Sequence, residues 1–137
     1  SLTKIGEGGL DLRNNSMGEE GWAAIIGAVC SSTVSKISTI DASSKDIGPA
    51  GAKLIAESLK TSVNGSLTKI GEGGLDLRNN SMGEEGWAAI IGAVCSSTVS
   101  KISTIDASSK DIGPAGAKLI AESLKTSVNG SLTKIGE

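Results

Sequence analysis

Four aspartates recur at one place in a repeating pattern: Asp11, Asp41, Asp76 and Asp106. Each sits in an apolar setting, as in Leu10-Asp11-Leu12 and Ile40-Asp41-Ala42. Carried on stacked strands about 4.8 Å apart, they form a column of carboxylates, and oxygen ligands suit a hard cation such as Ca²⁺. The plainer expectation is a solvated acidic stripe, offset by Arg13 and Arg78 alongside. Paired carboxylates also serve glycoside hydrolysis, but that needs one carboxyl raised above the rest. Nothing in the sequence singles out one aspartate, so no catalytic residue and no metal site is assigned.

The remaining chemistry is sparse. Histidine is absent, which removes the commonest general base and the commonest metal ligand together. Cys30 and Cys95 lie a whole 65-residue copy apart. That is two turns of a stack, beyond the ~7 Å Cα limit for a disulfide, so they are read as free, small helix-end residues. The stretch GEGG at Gly6–Gly9 lacks the GxxxxGK[ST] pattern of a phosphate loop and precedes its strand. A bulge or flexible lead-in is expected there. Trp22 and Trp87 each lie three positions before Ile25 or Ile90, a spacing that sets them beside a core stripe, with packing favoured over a role as binding anchors. Asn14-Asn15-Ser16 and Asn64-Gly65-Ser66, repeated at Asn79 and Asn129, are formal glycosylation sequons. They keep an extracellular location open beside a cytoplasmic one. No nucleophile is paired with a base and no cofactor motif is present, so the chain is not expected to be an enzyme.

The elements that position these residues come from repetition. Residues 1–65 recur letter for letter as 66–130, and 131–137 (SLTKIGE) open a third copy. One repeat domain spanning 1–137 is expected. Each copy splits again: aligning Leu10 with Ile40 brings Met17 onto Ile47, Gly21 onto Gly51, Ile25 onto Ile55 and Val29 onto Leu59. Leu10-x-Leu12 alternates with the period of a half-buried strand. Gly21, Ile25 and Val29 follow at the spacing of one helix face. Pro49 suits a first helical turn, and Glu19 and Glu20 suit the positive end of the helix dipole. The expected unit is strand, tight turn, helix, loop, occurring four times. None can bury its own apolar face alone, so the units must stack, with strands in one parallel sheet and helices in an outer layer.

This pattern, Leu10-x-Leu12-x-x-Asn15-x-Met17-x-x-x-Gly21-x-x-x-Ile25-x-x-x-Val29, resembles a leucine-rich repeat of the ribonuclease-inhibitor type. The resemblance implies an α/β right-handed solenoid with parallel strands on the concave side and helices on the convex side. It also implies protein binding rather than catalysis. In that family's pattern Asn15 and Asn80 bond neighbouring turns, a ladder interrupted here because Lys45 and Lys110 stand at the alternate positions. The spacing departs from the family too: Leu10 to Ile40 is 30 positions and Ile40 to Leu75 is 35. No terminal unit is atypical, although solenoids usually carry polar caps.

A formal charge of −2 and two aromatic residues argue against a nucleic-acid partner. No apolar run approaches the roughly 18 residues of a membrane helix. The chain opens at Ser1 in mid-pattern, which suggests a trimmed piece. Exact repetition fits a designed gene and a recent duplication alike. It makes the two ends of the stack mutually complementary, and a heterologous contact that does not close propagates. The leading expectation is a structural repeat protein that associates with itself end to end into a filament, through Leu2, Ile5, Leu10, Leu12, Leu124, Leu132 and Ile135. The alternative is a module that grips another protein on the concave face through Asp11, Arg13, Asn14, Asp41, Ser43 and Ser44. The second copy adds Asp76, Arg78, Asn79 and Asp106. No cofactor is expected.

Overall fold

The computed structural model describes residues 1–134. Along the chain run β1 (Lys4–Ile5), α1 (Gly18–Ser31), β2 (Thr39–Asp41) and α2 (Pro49–Lys60). Then come β3 (Lys69–Ile70), β4 (Leu75–Asp76), α3 (Gly83–Ser96), β5 (Thr104–Ile105) and α4 (Pro114–Lys125). The strands form one parallel sheet in the order β1-β2-β4-β3-β5. The helices pack in sequence, α1 on α2, α2 on α3 and α3 on α4. The result is an α/β stack of a parallel sheet and four helices. Among the described residues no helix is long and apolar enough to cross a membrane.

The sheet departs from the simple four-strand stack. The expected lead-in is itself a strand in each copy: Ile70 pairs with Leu75, only five residues on, and with Ile105. β3 takes the place further out, and the chain then makes a tight loop and returns as β4 to lie between β3 and β2. Parallel neighbours ordinarily need a crossover of a dozen or more residues. Here Gly71-Glu72-Gly73-Gly74 suffices. Gly71 N donates to Leu75 O at 2.8 Å, and Gly74 N to Gly71 O at 3.0 Å. Gly71 has φ of +139°, and a Cβ on Gly74 would overlap the Lys69 carbonyl, so glycine is what makes the loop possible. The same geometry buries Ile5, expected at an exposed end. Its strand lies between Leu10 and β2, bridged to one and paired with the other.

The interior between sheet and helices is aliphatic. Ile26, Ile40, Ile47, Ile55, Leu59, Leu75, Leu77, Met82 and Ile90 are essentially fully buried, each contributing about 1.5–3 kcal/mol of transfer free energy. Trp22 and Trp87 are buried too. Lys45 Nζ lies 5.4 Å from the Trp22 ring centre and Lys110 Nζ 5.7 Å from that of Trp87. The lysines that interrupt the asparagine ladder therefore cover the indoles, in a favourable cation–π contact.

Helix α2 begins without a side-chain cap of its own. Glu19, in the first turn of α1, reaches across instead: its Oε1 accepts from Gly48 N at 3.0 Å and Gly51 N at 2.8 Å. Glu84 does the same for Gly113 and Gly116 at the start of α4. The carboxylate satisfies two of the orphan donors at a helix start and sits at the positive end of that helix's dipole. A Cβ on Gly51 would collide with Glu19, so the glycine is tied to this cap.

Candidate functional site

Each row carries an aspartate and, two positions on, an arginine or a serine: Asp11 and Arg13, Asp41 and Ser43, Asp76 and Arg78, and Asp106 and Ser108. Each aspartate is clamped by the residue two positions on. Arg13 donates from Nε to Asp11 Oδ1 at 2.9 Å and from a terminal nitrogen to Oδ2 at 2.7 Å. Arg78 grips Asp76 the same way, at 2.9 and 2.8 Å. Ser43 Oγ donates to Asp41 at 2.6 Å and Ser108 Oγ to Asp106 at 2.7 Å. Asp11 is held down to about 2, chiefly by the hydrogen bond from the Arg13 side chain. Asp41 and Asp106 are lowered chiefly by Ser43 and Ser108. The four aspartates do not form the expected continuous column: Asp41 pairs directly with Asp76, whereas β1 stands between Leu10-Asp11 and β2, and β3 stands between β4 and β5.

One further expectation about this face needs correction. Asp76 is buried, in the row between β2 and β3. What that row presents outward is Arg78. Asn14, Ser44 and Asn79 have φ of 63°, 55° and 57° and form the left-handed turns that follow the rows. They shape the rim. Of the sequons, Asn64 and Asn129 are buried. Asn64 Nδ2 donates to Val29 O at 3.0 Å, and Asn129 Nδ2 to Val94 O at 2.8 Å. Those two amides hold helix ends together and are closed to glycosylation in the folded chain, so Asn64 gives no support to an extracellular location.

The two ladder asparagines differ. Asn80 is a hub: Nδ2 donates to Ala42 O and Leu77 O, and Oδ1 accepts from Lys45 N at 3.0 Å and Ile47 N at 2.9 Å. It stitches the second copy to the first. Asn15, among the described residues, bonds within its own turn, to Leu12 O and Arg13 O.

The ends are open. Leu2, Leu10 and Leu124 are exposed, and Leu12 and Leu132 are half-buried against the core. Ile135 lies outside the described residues. At the α4 end Ile91, Ile105, Ile112, Ile120, Leu124 and Leu132 help to line a cavity of about 610 Å³. Position by position, the contrast is direct: Leu75 is 0% exposed and Leu10 42%, and Leu59 is 0% exposed and Leu124 40%. Identical residues are covered where the copies meet and uncovered where they do not.

Sequence reasoning missed the cross-helix cap of Glu19 and Glu84 and the buried Asn64 and Asn129. A glutamate in a first turn and an asparagine before glycine look like local signals. The one available clue was their recurrence at fixed distances from the glycine columns.

No family model matches the chain, and no curated protein matches it. Among solved structures the chain is similar to Leiomodin-1 Actin-Binding Site 2 (ABS2), with a TM-score of 0.64 and 21% identity over 98% of this chain and 69% of that one. The likeness extends to fold, a leucine-rich-repeat-like stack.

Proposed function

We propose that the chain is a protein-binding repeat module: one leucine-rich-repeat domain of ribonuclease-inhibitor type, coiled right-handed, that meets a partner protein on the concave sheet face. The observation that carries this reading is the face itself. Its charged residues are already held in place by clamping bonds between neighbours two apart, so presenting them to a partner costs little ordering entropy. Arg13 and Arg78 are the half-exposed cations on it, and arginine is a frequent interface anchor. The similar structure is an actin-binding site, which makes actin the first partner to try. In this reading the module recognises and does not catalyse.

The test is co-sedimentation with filamentous actin and binding to monomeric actin. Wild-type chain is expected to bind, and Arg13→Glu with Arg78→Glu to bind at least about tenfold more weakly, a difference of about 1.4 kcal/mol. Binding that survives the double reversal would place the contact elsewhere, and no binding to either form would remove actin as the partner.

End-to-end association is a second reading. It is favoured by a separate observation, the uncovered apolar residues at both ends of the stack, since large exposed apolar patches mark interfaces.

A further inference from the structure

The junction between the two copies records how one copy receives the next. Copy 1 presents β2, the turn after it and α2, and copy 2 covers them with β4, Asn80 and α3. Ile40 N donates to Gly74 O at 2.8 Å, Ala42 N to Asp76 O at 3.0 Å and Ser44 N to Arg78 O at 2.9 Å. Asn80 seats in the Lys45–Ile47 turn, and Gly86 lies close over Ala52 and Pro49. Because the copies are identical, both halves of this junction recur at the ends. β5 is the last strand of the sheet and carries Ile105 and the turn through Lys110–Ile112. The opposite end carries Leu10, Leu12, Met17 and the underused Asn15. Ala52 is buried and its equivalent Ala117 exposed, while Met82 is buried and Met17 only partly so.

Resting on the end-to-end reading, we infer that a second copy of this chain docks head to tail in the register of the internal junction. Its Leu10–Asn15 segment lies along β5 as Leu75–Asn80 lies along β2. Its Asn15 seats in the Lys110–Ile112 turn, and its α1 packs on α4. The contact is heterologous, so each added copy leaves one end of each kind free. The tail fits this register: Asn129 accepts from Ser131 N and Leu132 N, repeating the Asn64–Ser66 turn. Leu132 therefore stands towards the place that Leu67 fills inside the chain, and the incoming Leu2, its sequence equivalent, is surplus there.

The test blocks one end at a time in the full chain. Leu10→Glu and Leu124→Glu each place a charge at a residue already about 40% exposed, and melting curves close to wild type confirm that both fold. By analytical ultracentrifugation, wild type is expected to grow beyond 13.7 kDa as concentration rises. Each variant alone stays monomeric, and an equimolar mixture of the two forms a dimer and nothing larger. Asn15→Ala weakens wild-type association about tenfold or more without changing the melting curve. A wild-type chain that is monomeric at every concentration removes the end-to-end reading itself. Association that persists in either single-end variant, a mixture that fails to pair, or an Asn15→Ala chain that associates like wild type overturns the head-to-tail register while leaving association standing.

Discussion

The clamps between residues two apart set how the protein answers acid. Asp11 sits well below its ordinary value of 3.8, at about 2, and Asp41 and Asp106 are lowered as well. A carboxyl that is more acidic folded than unfolded adds stability that is whole above its unfolded pKa and drains away as pH falls through its folded one. Thermal midpoints are therefore expected to drop between pH 4 and pH 2, and Asp11→Asn to flatten part of that slope. Because the pair is exposed and screened, both that flattening and the loss at neutral pH are small. An unchanged slope in the variant would detach Asp11 from the acid response. The recurrence of the aspartates and arginines was legible from spacing alone, but the lead-in strands that separate Asp11 from Asp41 and Asp76 from Asp106 were not. That Ser43 and Ser108 clamp Asp41 and Asp106 was not read from the sequence, and neither was the burial of Asp76.

At the level of elements, helix starts are finished by their neighbours. Glu19→Ala removes the acceptor that serves Gly48 and Gly51 and is expected to cost about 1 kcal/mol, the usual loss for a cap. Glu19→Gln keeps an oxygen in place and is expected to cost less than half of that. Urea unfolding of the two variants measures the difference, and equal losses would mean that charge, rather than the acceptor, is what α2 needs. The alternation at Leu10 and Ile40 and the helical spacing of Ile25 and Val29 were readable because they follow the strand and helix periods. The lead-in strand was not. Its glycines look like a loop, and its order comes from pairing with Leu75 across a tight turn and with Ile105, 35 residues away.

Over the whole molecule, stability is shared between copies. Ile40, Ile47, Ile55 and Leu59 are sealed in the chain, while their equivalents Ile105, Ile112, Ile120 and Leu124 at the open end are partly or largely exposed. Residues 1–65 alone would carry the open version of both faces. A single copy is expected to show no cooperative melting transition by circular dichroism, and the full chain to show one, as stacked repeats require neighbours. A cooperative transition in the single copy would make it an independent folding unit. The repeat itself announced this architecture. The letter-for-letter identity of the copies has one more consequence, which concerns recognition of self. Should the chain part between its copies, its first half has no chemical way to tell its own second half from that of a different molecule. Only the tether favours the internal pairing, through an effective concentration in the millimolar range for short flexible links. In crowded solution above that range, exchange of halves between chains competes on equal terms with intramolecular closure.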